Sequence, residues 1–189
     1  MKFPILAGLA LASFSTLATA GQFYIGAGAE LAGSGEEEYT VGSLSATVDY
    51  DYTAQSIRLG YQQDNNNRFE VSLNNIDIEY TDGGDEETYT GLDLDYYFVW
   101  GEKVKPYLML GLGFYNYEDT AQYFVDDEDL SGVAFNLAGG VIWQFYEHMD
   151  VQVGYKVKAI SWADATDGVN TYETSSTHSG VDMAVHFLF

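Results

Sequence analysis

"VDMAVHFLF", residues 181–189, places an apolar side chain at every odd position and finishes on an aromatic. Val181, Met183, Val185, Phe187 and Phe189 share one face of an extended segment; Asp182, Ala184 and His186 share the other with Leu188. A period of two is the signature of a β-strand whose faces meet different surroundings. Chain ends that fray in water rarely carry such order, so this segment is read as a strand with one face against an apolar environment.

The same period recurs along the chain. Phe23, Ile25, Ala27 and Ala29 alternate with Tyr24, Gly26, Gly28 and Glu30, and Ile57, Leu59 and Tyr61 alternate with Ser56, Arg58, Gly60 and Gln62. Phe69, Val71 and Leu73 alternate with Glu70, Ser72 and Asn74, after which the phase slips near Asn75, as at a bulge. Further segments run through Leu92–Trp100, Leu108–Phe114, Val133–Phe145 and Val151–Val157, and the terminal one makes eight. Short connections ("QDNNN" 63–67, "GEKV" 101–104, "YEHM" 146–149) take turns with long ones. The long ones hold "GSGEEEYT", "TDGGDEET", "YEDTAQYFVDDEDL" and "SWADATDGVNTYETSSTHSG". In an antiparallel meander that order sends every long connection to one end, the layout of a transmembrane barrel with short turns on the inner side.

A soluble eight-stranded barrel alternates too, but fills its inside with large apolar side chains and coats its outside with polar ones. Here the polar face carries Gly, Ala, Ser, Asn and charges, small enough to fill a narrow lumen. The other face is large, apolar and nearly uncharged, as lipid requires. The expected fold is all-β: an eight-stranded antiparallel transmembrane up-and-down barrel. Aromatics fit two interfacial belts: Tyr96, Phe98, Trp100, Trp143, Phe145, Phe187 and Phe189 beside the short turns, and Tyr50, Tyr52, Tyr80, Tyr89, Tyr115 and Tyr117 beside the long loops. Pro106 stands at a strand start, where a missing N–H is tolerated.

Composition bounds the rest. Residues 1–20, "MKFPILAGLALASFSTLATA", have Lys2, an apolar run and Ala18-Thr19-Ala20, the pattern of a secretory signal peptide cut before Gly21. The mature domain is then residues 21–189. The chain carries 7 Lys and Arg against 29 Asp and Glu, a net charge of −22, which argues against nucleic acid as a partner. No cysteine is present, so neither disulfides nor lipid attachment through a thiol enters the reckoning.

The stretches "KPYLMLGLGFYNY" (105–117), "AFNLAGGVIWQF" (134–145), "VQVGYKVKA" (151–159) and the final "VDMAVHFLF" resemble the small OmpA-like bacterial outer-membrane β-barrel family, over residues 21–189. That resemblance implies a bacterial outer-membrane location among outer-membrane lipids and lipopolysaccharide. It also implies assembly by the barrel-assembly machinery, with Phe189 as a recognition residue and Phe187, Val185 and Met183 as its alternating companions. Larger relatives add a peptidoglycan-binding domain after the barrel; this sequence ends on its last strand, so a wall-tethering role is not carried over.

Ionisable residues inside a membrane need partners. The polar face holds Arg58, Lys156 and Lys158 against Glu30, Glu70, Asp93, Asp95 and Asp182. Counting from the 63–67 turn sets Arg58 opposite Ser72 and diagonal to Glu70; counting across the last hairpin sets Lys158 near Asp182. The expected lumen charge network is a salt-bridged plug, its competitor a narrow ion path. Arg68, Lys103 and Lys105 gather by the short turns, while Glu36–Glu38, Asp82 with Asp85–Glu87, and Asp126–Asp129 make acid runs in the long loops. Acid runs suit a solvated, self-repelling surface; collection of Ca²⁺ or Mg²⁺ or of a surface ligand is the alternative, and no EF-hand spacing is present. Catalysis needs a nucleophile and base held together; Ser175, Ser176, Ser179 and His178 read more simply as a polar loop, with no acid at a strand position beside them, and no cofactor is implied. The expected function is that of a non-enzymatic, monomeric barrel serving envelope integrity and displaying acidic loops. An adhesin or receptor and a narrow channel are the alternatives.

Overall fold

Strands built on these alternations close into a ring in the computed structural model, which describes residues 21–81, 86–117, 130–166 and 171–189. The elements are β1 (Gln22–Val41), β2 (Leu44–Gln62), β3 (Arg68–Tyr80), β4 (Glu86–Val99), β5 (Val104–Tyr117), β6 (Leu130–Tyr146), β7 (Met149–Trp162), β8 (Ala165–Thr166) and β9 (Thr171–Leu188). The short β8 pairs only with the start of β9. The eight long strands pair in sequence order, and β9 pairs back onto β1 from Tyr24↔Leu188 to Thr40↔Glu173. No long strand is left at an edge of the membrane-spanning part, as a lipid surround demands. The leader and the acid run Asp126–Asp129 lie outside the described residues, as do Asp82 and Asp85.

Register fixes the shape. Paired residues run from Phe23 through Tyr61, Phe69, Tyr96, Leu110, Leu137, Val157 and Ser179, and return to β1 at Ser34. The circuit climbs eleven positions (34 − 23), ten once the extra residue of a bulge in β1 is discounted. Such a stagger over eight strands requires strongly tilted strands and a lumen filled by side chains. The bulge lies between Glu30 and Gly33, with Ala32 at φ 50°. It moves the inward set of β1 from even positions to odd ones, so that Glu30 and Glu37 are both buried inside.

The strands are longer than the apolar alternation. "GSGEEEYT" is not a loop but the upper half of β1, paired with β2 on one side and β9 on the other. Nor does β3 slip at Asn75: its pairing with β2 and β4 is unbroken from Arg68 to Glu79. What changes at that level is the solvent. Below it Val71 and Leu73 point outward toward lipid; above it Asp77 and Glu79 do, while Ile76 and Ile78 turn inward and are buried. Outside the apolar band the barrel becomes a soluble one, polar without and apolar within.

The upper aromatics follow the same inversion, and this corrects the second belt. Tyr50, Tyr52, Tyr89, Tyr115 and Tyr117 are buried in the lumen, packed with Ile76, Ile78, Ile160 and Trp162 into an apolar plug above the membrane. Tyr89 contacts Trp162 with ring centroids 4.9 Å apart and Tyr117 at 5.4 Å. The lower belt stands as read: Phe98, Trp100, Trp143, Phe187 and Phe189 are exposed on the outer surface. On that side turns are tight; the 63–67 turn is closed by Gln63 N–H to Asn67 O at 2.8 Å, with Asn66 at φ 70°.

Candidate functional site

The lumen holds the chemistry. Because successive residues of a strand face opposite ways, each ionisable residue at an inward position is driven into a space with little water, where an unpaired charge is costly. The side chains answer with three layers of contacts.

At the inner end, Arg68 forms an ion pair with Asp150 and donates from Nε and Nη2 to Gln62 Oε1 at 3.1 and 2.8 Å. His186 Nδ1 lies 2.8 Å from Asp150 Oδ1, and its Nε2 is 3.6 Å from Glu70 Oε2. Lys105 is also inside, donating to Gln144 Oε1 at 2.9 Å and Asn66 Oδ1 at 3.2 Å. Arg68 and Lys105 are therefore lumen residues rather than members of a basic cluster around the turns; of the three, Lys103 alone is exposed.

In the middle layer Arg58 sits opposite Ser72 and beside Glu70. Its Nη1 and Nη2 donate to the two oxygens of Asp182 at 3.3 and 2.5 Å, and Nη1 is 3.7 Å from Glu70 Oε1. Glu70 accepts from Tyr24 and Tyr97 hydroxyls at 2.9 Å each, and Gln152 Nε2 donates to Asp182 at 2.9 Å. Above it Lys156 is 3.2 Å from both Glu30 and Asp93, and Lys158 is 3.2 Å from Asp93. Register sets Lys158 opposite His178, and Asp182 opposite Gly154, so Lys158 and Asp182 are separated by two inward positions and do not pair. Asp93 also accepts from Asn74 Nδ2 at 3.0 Å and Tyr115 OH at 2.9 Å. Asp95 accepts from Asn136 Nδ2 at 3.1 Å.

A third cluster lies above the apolar band. Tyr80 OH contacts Glu37 Oε2 at 2.8 Å and Glu87 Oε2 at 2.6 Å, and Tyr117 OH donates to Glu87 at 2.9 Å. Ser176 and His178 are not in a loop but in β9, inward and buried. Ser176 accepts from Trp162 Nε1 at 2.7 Å and donates to Glu37 Oε1 at 3.3 Å, so an acid does stand at the paired strand position. Burial raises the Glu37 carboxyl, with Glu87 pushing the same way and the Tyr80, Tyr39 and Ser176 hydrogen bonds opposing.

The structure thus brings Arg58, Glu70 and Asp182 together, and Lys156, Lys158 and Asp93 together, with Asp95 beside Asn136. Met183, Val185, Phe187 and Phe189 lie on the outer face, paired through the backbone of β9 with β1 and β7. Arg68, Asp150, His186 and Glu37 complete the lumen; His186 was already set on the inward face with Asp182 by the terminal alternation, and the other three were missed from sequence. Parity signals three of the four: Arg68 is two residues before Glu70, Asp150 two before Gln152, and His186 two after Ala184. Glu37 carried no such signal, because the bulge reverses the parity of β1.

The chain matches the family model described as "Outer membrane protein beta-barrel domain" over residues 5–184. No curated protein matches it in sequence. Among solved structures it is similar to Neisserial surface protein A, at 15% identity over 88% of this chain and 97% of that one, with a TM-score of 0.53. It is also similar to the outer membrane protein AlkL, at 14% identity over 90% and 91%, with a TM-score of 0.55. At these identities the likeness is one of fold.

Proposed function

Since the chain belongs to the outer membrane protein β-barrel domain family and its place is the bacterial outer membrane, we propose that it is a non-enzymatic, monomeric barrel that reinforces the envelope. In this reading its lumen is plugged by ion pairs and it shows an acidic surface to the outside. The observation that carries the reading is the Arg58–Asp182–Glu70 and Lys156–Lys158–Asp93 filling of the barrel at mid-membrane height. Side chains that satisfy one another across the lumen occupy the space an open pore would need. The outward carboxylates Glu36, Glu38, Asp49, Asp51, Asp77 and Glu79 support the second half: they stand above the apolar band, while every Lys and Arg of the mature chain lies inside the barrel or by the inner turns.

Planar-bilayer recording on refolded protein tests it. Wild type is expected to stay closed or to open rarely, and neutralising Arg58 is expected to raise conductance. A steady wild-type conductance would favour the narrow channel instead. The absence of any cation on the outer rim favours a cationic rather than anionic surface for any loop ligand, so adhesion to lysine-rich supports is the corresponding assay. Calcium or magnesium could bridge that acidic rim to lipopolysaccharide phosphates; chelator sensitivity of the folded protein in native membranes tests this. Assembly is proposed to be guided by Met183, Val185, Phe187 and Phe189.

A further inference from the structure

The hairpin that joins β1 to β2 extends further than the strand beside it. β2 pairs with β1 as far as Leu44, but with β3 only from Tyr50↔Tyr80 downward. Just above that pair Thr81 gives its N–H to Asp49 O at 3.3 Å and its hydroxyl to the same oxygen at 2.7 Å. Leu44–Val48 continue beyond it with β1 on one side and, among the described residues, no strand on the other.

Strand geometry decides which backbone groups are left over. The two-residue loop Gly42-Ser43, with Gly42 at φ 62°, joins Val41 to Leu44. Leu44, Ala46 and Val48 therefore turn their N–H and C=O groups toward β1. Ser45 and Thr47 turn theirs the other way, onto the edge where Asp49 O meets Thr81. Exposed strand edges are blunted by lysine, proline, a bulge or sheer shortness. This edge carries no such guard: "LSATV", residues 44–48, has no charge and no proline, and it pairs with β1 without a register shift.

The two faces of the segment differ. By alternation with the buried Tyr50, Leu44, Ala46 and Val48 continue the inner side, where Leu44 is 76% exposed. Ser45, Thr47 and Asp49 continue the outer side. There Asp49 stands directly opposite Glu36, and Asp51 directly opposite Glu79.

We propose that the edge of β2 from Leu44 to Val48 takes up, as an added strand, an extended segment of a basic extracellular protein in which basic and apolar residues alternate. The N–H and C=O groups of Ser45 and Thr47 supply the attachment, and the alternating side chains supply the choice of partner. Basic residues on the outer face meet Asp49, with Glu36, Asp51 and Glu79 nearby; apolar ones lie against Leu44, Ala46 and Val48. Opposite charges on neighbouring strands strengthen such a pairing, and like charges weaken it. A second copy of this chain is therefore the poorer occupant, since it brings acid against acid. Such binding needs the acidic surface proposed above to face outward, and is independent of whether the lumen is closed.

The test uses refolded mature protein in nanodiscs and two capped peptides of equal charge, Lys-Val-Lys-Val-Lys-Val-Lys and Lys-Pro-Lys-Pro-Lys-Pro-Lys. Proline in place of valine removes backbone donors that a strand needs. The valine peptide is expected to bind about tenfold more tightly than the proline peptide, and to slow amide hydrogen exchange at Ser45 and Thr47. Thr47→Pro, whose missing N–H faces away from β1, should keep the heat-modifiable fold and bind the valine peptide no better than the proline one. Equal affinities without slowed exchange would show attraction of cations by an acidic surface alone and would overturn strand addition, as would no binding of either peptide. Ser45 and Thr47 amides already slow in the peptide-free monomer would mean that the chain's own loops cover the edge; amides slow only in a dimer would mean a second copy. Either result overturns the proposal. The wild-type exchange decides the matter even if Thr47→Pro fails to fold. Closed bilayer recordings without peptide binding would remove the docking edge and leave the plug intact, and a conducting lumen with the valine peptide bound would do the reverse.

Discussion

At the residue scale, the Arg58–Asp182 pair shows what a buried charge contributes in this lumen. Both partners are nearly fully buried, and the guanidinium meets both carboxylate oxygens while also facing Glu70. Breaking such a pair from one side leaves the other charge without compensation, which costs about 3–5 kcal/mol. Asp182→Leu is therefore expected to lower stability by about that amount, read from urea unfolding of lipid-embedded protein. The double variant with Arg58→Met should recover most of it, since an apolar pair of similar volume is often neutral. Failure of the second change to restore stability would show that Glu70 and Ser56, not Asp182, hold Arg58.

Glu37 makes the opposite argument. Burial and Glu87 raise its carboxyl above the ordinary range. A group raised on folding contributes stability that is complete below its unfolded value and is lost as pH rises through the folded one. The outer cluster of Glu37, Tyr80, Tyr89 and Ser176 should accordingly be firmer in mild acid than at neutral pH. Glu37→Gln should flatten that dependence and raise the midpoint at pH 8, measured by near-ultraviolet circular dichroism of its tyrosines. A midpoint in the wild type that rises from pH 5 to 8 would contradict the assignment.

Individual strands record the membrane in which they sit. In β3 the outward series Phe69, Val71, Leu73 gives way to Asn75, Asp77, Glu79 without any break in pairing. The outer boundary of the hydrocarbon thus lies between Leu73 and Asp77. Leu73→Arg should cost up to about 2–4 kcal/mol, less if the boundary is shallow, because a charge is moved onto the lipid face. Asp77→Arg, two outward positions higher, should stay within about 0.5 kcal/mol, as an exposed surface change. Similar losses at both positions would move the boundary upward. This inversion also explains what could and could not be read from the sequence. The lower strands were legible because lipid enforces one apolar face, and Ile57, Leu92 and Val133 report it directly. Above the boundary the apolar set changes sides, so a simple count sees a slip at Asn75 and a belt of tyrosines where there is a core. β1 was hardest: Glu36, Glu37 and Glu38 look like a loop, and only pairing with β2 and β9 keeps them extended.

The molecule as a whole depends on closing β9 against β1. β1 and β9 stand at opposite ends of the described chain, so their contact is made only when the ring is complete, with Ile25↔Phe187 and Tyr24↔Leu188 at its inner end. The final backbone link is Phe189 N–H to Phe23 O at 2.9 Å, while the Phe189 ring stays exposed on the outer face. An exposed ring at the inner interface adds little to a barrel already closed by the pairs above it. Deleting Phe189 removes one hydrogen bond and one interfacial aromatic, so refolding into detergent should lose about 1 kcal/mol or less. If the terminal alternation is also what the assembly machinery binds, the same deletion should lower the amount of folded, heat-modifiable protein in cells several-fold. Replacing Phe189 by Tyr, which preserves an aromatic end, should restore it. Parallel losses in detergent and in cells would reduce Phe189 to an ordinary lipid-facing residue, and the closure of the ring would then owe nothing to recognition of its last strand.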